Sequence, residues 1–341
     1  MIRKTNEKLT IGIIGLGYWG PNWLRNILTH PNFQLSWIVD TNPLTLEKFK
    51  NLYGLTQHQV SVDIKKSFEK IVPDLVLIST PPATHFELGK LALNSGSNVI
   101  IEKPVGLNTD QSLELIKLST SLKLELFVDH TYIFTPQAKF IFEILERGLL
   151  GDLQFIFSSR LNLGLIQKDV DVIRDLAVHD LALFDYFIPN KLNSVSAEVV
   201  THLPSIIPST GSINLSYEKN LLAQVGVSWN SPVKVRTMII SGSEKSILWD
   251  DTNQSEKIKV YEASANIDLA DPNRHISYSL GDTFIPKLDN SEAIFLQLSH
   301  LNNVLLGSEK SLNGVEHITR VSSILKALET SAKTNGNRVL I

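Results

Sequence analysis

The stretch LTIGIIGLGYWG, residues 9–20, decides how the chain folds. Leu9 to Ile14 is a short apolar run of the kind that makes a buried strand. It runs directly into Gly15-Leu16-Gly17-Tyr18-Trp19-Gly20, and Pro21 then opens a helix. Proline suits a first helical turn, where its missing N–H had no intrahelical partner to lose. In such a strand–turn–helix, Gly15 makes the tight turn, Gly17 lets backbone approach a pyrophosphate, and Gly20 lets helix pack close on strand. The helix N-terminus presents unpaired N–H groups and partial positive charge to the phosphates. Tyr18 and Trp19, inside the same turn, are assigned to the same site.

Outward from that turn, Phe33–Val39 reads as a second strand and ends on Asp40, 20 positions after Gly20. A carboxylate there accepts hydrogen bonds from the adenosine ribose and repels a 2′-phosphate, which selects NAD over NADP. Neither Thr41 nor Asn42 brings a positive charge to reverse that choice. Glycines in any strand-to-helix turn can match the pattern by chance. Strand, helix and acid in register together make it a dinucleotide site.

With 341 residues the chain is long enough for two domains, and 43% hydrophobic residues suffice for two cores. The net charge of −3 gives no bulk attraction to nucleic acid or to an anionic membrane. No cysteine is present, which excludes disulfides and thiolate chemistry and fits a reducing compartment. The opening residues MIRKTNEKLT lack the apolar core of a leader, and no run approaches a membrane span, so a cytoplasmic location is expected.

The first third alternates strand and helix, as a parallel sheet with helices on both faces requires. Helices are predicted over 43–53, 83–94 and 109–122, the last capped by Thr109 or Asp110; strands are predicted over 74–80, 97–102 and 124–128. Past Tyr132 the rhythm changes. A helix over 136–148, a strand over 154–160 and a helix over 173–187 precede a series of strands from Asn193 to Glu262 with short turns, the pattern of an antiparallel sheet. Ala263–Asn290 reads as a long loop, followed by helices over 291–306 and 314–334 and a last strand over 338–341. The expected division is 1–130 for a Rossmann domain, a doubly wound parallel sheet that binds NAD. The remainder, 131–341, is expected to be an α/β domain for substrate binding and oligomerisation, built on a large, open, mostly antiparallel sheet.

Dehydrogenation of an alcohol also needs a group to carry the hydroxyl proton. Lys103, in Glu102-Lys103-Pro104, stands at the C-terminal end of a predicted parallel strand, the edge where open α/β sheets bind ligands. An ammonium buried beside an oxidised nicotinamide gives up its proton more readily, since burial and like charge both disfavour the charged form. On a predicted helix, Asp175 and His179 stand four residues apart and share a face, so the carboxylate can orient the imidazole. Helix capping and a core histidine are the competing structural reading. Asp180 and Asp185 read as ordinary helix carboxylates. A metal at Asp175, His179 and Asp180 would need a third, distant ligand that the sequence does not supply, so none is assigned.

These residues resemble the glucose–fructose oxidoreductase, inositol dehydrogenase and MocA (Gfo/Idh/MocA) family of sugar and polyol oxidoreductases. The carriers are GLGYWGPN (15–22), Asp40, STPPATH (79–85), EKP (102–104), DHTYIFTP (129–136) and DLAVHD (175–180), in that order over nearly the whole chain. The resemblance implies catalysis by Lys103, Asp175 and His179, with Thr80, Pro81, His85, Glu102 and Lys103 lining the nicotinamide side of the cofactor site. It also implies a cis bond at Lys103–Pro104 and a homodimer or homotetramer assembled through the C-terminal sheet. The second half resembles relatives acting on nucleotide-activated sugars, often in polysaccharide pathways, through RLNLG (160–164), DVDVIRDLAVHD (169–180), SGSEKSILWDD (241–251) and LDNSEA (288–293). Lys103, Arg160, Arg174 and His179 are the candidate substrate contacts, Arg174 being equally able to pair with Asp171. His130 is taken as structural.

The implied activity is hydride transfer between a carbinol carbon of a sugar, nucleotide sugar or polyol and nicotinamide, with Lys103 and His179 as proton carriers. Two alternatives share these motifs. One is a redox-neutral glycoside hydrolase that oxidises a sugar carbon transiently; the other is a non-catalytic NAD-responsive regulator.

Overall fold

Short apolar strands buried on both faces build the first sheet. A computed structural model of the chain describes residues 8–164, 170–202, 207–267 and 276–341; Asp169 and residues 268–275 of the expected loop lie outside them. In chain order come β1 (Leu9–Ile14), α1 (Gly20–Thr29), β2 (Phe33–Val39), α2 (Pro43–Tyr53), β3 (Val60–Ser61), α3 (Ile64–Lys70), β4 (Leu75–Ile78), α4 (His85–Asn94), β5 (Asn98–Glu102), α5 (Thr109–Leu122) and β6 (Leu126–Asp129). All six strands run parallel in the order β3-β2-β1-β4-β5-β6. The order reverses between β1 and β4, which opens a crevice at their C-terminal ends.

Alternation along each strand feeds two cores. Ile11, Ile13, Leu75, Leu77, Ile100 and Phe127 pack with Trp23, Leu24 and Ile27 of α1 on one face. Ile14, Val76, Ile78, Val99, Ile101 and Val128 pack with Ala92, Leu93 and Leu115 on the other. Each such side chain, removed from water, contributes about 1.5–3 kcal/mol.

Local chemistry sets the helix ends. Asn42 accepts the Leu44 N–H at 3.0 Å ahead of Pro43, and Gly54 closes α2 in the left-handed region at φ 63°. The cap of α5 is Asn108, whose Oδ1 accepts the Gln111 N–H at 2.9 Å, in place of the expected Thr109 or Asp110. β3 and α3 have no counterpart in the sequence reading, because a two-residue strand shows no period.

The chain forms two compact units. Residues up to Phe134 join Ser291–Ser322 in the first, and Thr135–Asn290 join Ser323–Ile341 in the second. Beyond β6 come α6 (Pro136–Glu146), β7 (Leu153–Leu163), a π-helical turn (Ile173–Ala177), α7 (Val178–Phe187), β8 (Leu192–Val200), β9 (Thr210–Tyr217) and β10 (Leu222–Ser228). They are followed by β11 (Asn230–Gly242), β12 (Ser246–Asp250), β13 (Ile258–Ile267), β14 (Ile276–Phe284), α8 (Ala293–Leu305), α9 (Val315–Lys333) and β15 (Val339–Leu340).

The second sheet runs β14-β13-β12-β11-β7-β10-β9-β8-β15. It is mostly antiparallel, as expected, but β7 lies between β10 and β11 and is parallel to β10. Two features depart from the sequence reading. Within the expected loop over 263–290, residues 263–267 and 276–284 are strand, since β13 continues to Ile267 and β14 pairs back along it, Val260 opposite Phe284. β14 is an edge strand with Tyr278 and Phe284 exposed, so these large apolar residues give no sign of a buried face in sequence. The helix expected over 173–187 opens as a π turn, with the Val178 N–H donating to the Ile173 carbonyl five residues back.

Leu77, fully buried in the central strand β4, offers a direct check on the first core. Leu77→Ala is expected to lower unfolding free energy by about 2–5 kcal/mol in denaturant titrations.

Candidate functional site

The turn after β1 is shaped by contacts only glycine allows. Gly15 sits at φ +92°, and a Cβ there would lie 2.4 Å from the Ser79 carbonyl oxygen. A Cβ on Gly20 would lie 2.3 Å from the Gly15 carbonyl oxygen, so Gly20 closes the turn on itself rather than only packing helix on strand. At Gly17 a Cβ would meet nothing within 4 Å, which leaves an open cradle over the turn. No side chain caps α1 and no acid lies in its first turn, so its N-terminus suits phosphate. These residues fit a dinucleotide. Tyr18 and Trp19 project from the turn, 88% and 41% exposed, with their rings edge to face.

Asp40 joins the same turn. Its Oδ2 accepts the Leu16 N–H at 2.7 Å and its Oδ1 accepts the Asn42 N–H at 2.9 Å. The acid read as a ribose ligand therefore also braces the glycine turn, which its spacing does not reveal.

At the ends of β4 and β5 stand the residues assigned to the nicotinamide side. His85, fully buried, places Nδ1 2.7 Å from the Pro104 carbonyl oxygen and Nε2 2.8 Å from that of Thr80. Burial pushes the imidazole pKa below its ordinary value, and the two carbonyls pull it back up. A neutral ring has one N–H, so it serves one of these carbonyls at a time. The Thr84 hydroxyl reaches the Thr80 hydroxyl at 2.7 Å and the Pro81 carbonyl at 2.8 Å. The Lys103–Pro104 bond is cis, and the Lys103 N–H donates to Glu102 Oε2 at 3.1 Å. Burial holds the Glu102 carboxyl well above the usual carboxylate range, neighbouring Asp129 adds to the shift, and Lys103 works against it.

In the second unit, Asp175 lies in the π turn and His179 in the first turn of α7. Trp229 Nε1 donates to Asp175 Oδ2 at 2.9 Å, an anchor 54 residues away that no sequence spacing announces. Arg174 holds Asp171 at 3.2 Å and Glu329 at 2.7 Å. Asp180 departs from its sequence reading. Only 1% exposed, it takes Arg160 Nε at 2.6 Å and the Ser158 hydroxyl at 2.7 Å, a buried ion pair between α7 and the sheet. His130 is buried with its Nδ1 2.7 Å from His317 Nε2, in keeping with a structural role.

Residues 9–130 match the family described as "Oxidoreductase family, NAD-binding Rossmann fold", and residues 141–248 match the "GFO/IDH/MocA C-terminal domain". The chain belongs to the Gfo/Idh/MocA oxidoreductase family. Membership makes NAD the cofactor of the domain over residues 9–130. Within the family, the chain is similar to inositol 2-dehydrogenase of Rhizobium meliloti, 21% identical over 59% of this chain and 61% of that one. It is 32% identical to UDP-N-acetylglucosamine 3-dehydrogenase of Acidithiobacillus ferrooxidans over 32% of this chain and 34% of that one. These matches span less than two thirds of either relative. The fold is also that of the WlbA dehydrogenase of Bordetella pertussis, solved with NADH and UDP-GlcNAcA, with a TM-score of 0.77 at 17% identity over 98% and 99% of the two chains. Among the described residues of this Gfo/Idh/MocA member, no helix is long and apolar enough to cross a membrane.

The Arg160–Asp180 pair gives a stability test. Asp180→Ala leaves a buried guanidinium without its carboxylate and is expected to cost about 3–5 kcal/mol in chemical denaturation.

Proposed function

We propose that this chain is a dehydrogenase of a sugar carbinol carbon, with a nucleotide-linked sugar or a polyol as substrate. The observation that carries the reading is Lys103 at the C-terminal end of β5, on the same sheet edge as a glycine turn and acid fitted to NAD. NAD, when bound, supplies the acceptor for the hydride from the sugar carbon. Lys103 or His179 takes the hydroxyl proton, and Asp175, steadied by Trp229, orients His179. Similarity to inositol and nucleotide-sugar dehydrogenases supports the substrate class.

In this reading residues 1–130 hold the dinucleotide and residues 131–341 the substrate. Tyr18 and Trp19 flank the cofactor, with Thr80, Pro81, His85 and Glu102 on its nicotinamide side. Arg160 and Arg174 already hold Asp180 and the Asp171–Glu329 pair, so they contribute by bracing the segment that carries His179. Exposed Phe157, Leu222 and Ile239 on the second sheet favour assembly of two or four copies through it. The cytoplasm is the compartment proposed.

A thermal-shift screen of nucleotide sugars, free sugars and inositols with NAD is expected to show stabilisation by one substrate class. That substrate should then drive NADH accumulation; product release without net NADH would indicate a redox-neutral hydrolase instead. Lys103→Ala is expected to lower turnover by at least about 10²-fold while NAD still binds, measured by steady-state rates and cofactor titration. Retained turnover would remove Lys103 from the mechanism.

A further inference from the structure

Glu102 is the last residue of β5 and Asp129 the last of β6, and the two are register partners on adjacent parallel strands. Both are buried, 8% and 2% exposed, and as register partners on adjacent parallel strands their side chains leave the sheet on the same face, side by side. Two ionised carboxylates buried side by side repel each other, and a proton held by one of them removes that repulsion. The surrounding donors indicate which one keeps it. Asp129 accepts from two donors, Trp23 Nε1 to Oδ2 at 2.9 Å and the Thr131 hydroxyl to Oδ1 at 2.7 Å. Glu102 accepts only the Lys103 N–H among the bonds described, so a negative charge is better satisfied on Asp129 and the proton better placed on Glu102.

We propose that Glu102 and Asp129 hold a single proton between them, resident on Glu102, so that the pair places one negative charge rather than two beside Lys103. The role assigned to it rests on the reading of Lys103 as a proton carrier. A neutral Glu102 steadies the Lys103 amide without adding a second anion beside an amine that must exchange a proton. Glu102 acts here through Lys103, and Asp129 acts through Glu102, so Asp129 is a positioning residue. The charged groups acting on Glu102 are Asp129 on β6 and Lys103 next in the chain; Trp23 of α1 and Thr131 complete the cluster as neutral donors to Asp129. Burial acts in the same direction by disfavouring a second charge.

The test uses the full chain without NAD or substrate, labelled with carbon-13 at the glutamate carboxyls. One glutamate resonance is expected to report a protonated carboxyl near neutral pH and to vanish in Glu102→Gln, whose amide imitates the neutral acid. In Asp129→Asn that resonance should titrate at lower pH than in the native chain, with burial keeping the remainder of the shift. A native spectrum with every glutamate ionised, a protonated signal that survives Glu102→Gln, or one whose titration Asp129→Asn leaves unmoved, would overturn the proposal.

Melting curves give a second readout. A carboxyl whose folded-state pKa is raised contributes stability that is fully present below the ordinary carboxylate range and is lost as pH rises toward the raised value. Glu102→Gln cannot titrate, so its melting temperature relative to the native chain should climb by about 2–4 °C between mildly acidic and neutral pH. A difference that stays flat with pH would overturn the shared proton. Both readouts are independent of turnover, so they can fail while the dehydrogenase reading stands, and the reverse.

Discussion

The bond from the Leu16 amide to the Asp40 carboxylate is the constraint on which the first unit's chemistry depends. It ties the loop leaving β1 to the end of β2, so the glycine turn is held in one shape before any ligand arrives. That shape is tight: Gly15 lies against the Ser79 carbonyl, and Gly20 lies against the Gly15 carbonyl. Only over Gly17 is there room. A site pre-formed in this way avoids ordering a loop at the moment of binding, a cost that would otherwise subtract from affinity.

The same economy recurs at the other side of the crevice. His85 touches the carbonyls of Thr80 and Pro104, so one buried ring spans the loops after β4 and β5. The second unit uses long-range anchors for its acid and its arginines: Trp229 for Asp175, Glu329 for Arg174, Asp180 for Arg160. In each case a polar group is held by a partner far along the chain. Removing such a partner weakens the satisfaction of a group held away from bulk water, which costs more than the bond contributed.

Much of the first unit is legible in the sequence because its signals are local. An apolar run, three glycines and an acid 20 positions on suffice to read β1, the turn, α1 and β2. Helix bounds at Pro43–Tyr53 are equally plain, since a proline and a left-handed glycine mark them; those at Thr109–Leu122 are read as well, although the cap there is Asn108. What escapes is whatever depends on tertiary pairing. β14 is an edge strand, and its described side chains are exposed, so they carry no alternation of burial. The insertion of β7 between β10 and β11 cannot be read from order along the chain. Asp180 looks like any helix carboxylate until Arg160 and Ser158 meet it. Asp129 opens the DHTYIFTP stretch, but that β6 reaches it and sets it opposite Glu102 depends on strand register, which the sequence does not carry.

The π turn at Ile173–Ala177 gives the chain one residue more than an α-helical turn would hold. An α-helix advances about 100° per residue around its axis. Loss of one residue between Arg174 and Val178 would let the segment close as an ordinary helix and turn Asp171 and Arg174 by about a quarter-revolution relative to α7. Every remaining side chain would survive such a deletion with its chemistry intact, yet Arg174 would no longer point along the line on which it meets Glu329. The direction in which this segment presents its polar groups is thus encoded by a count of residues as well as by their identity.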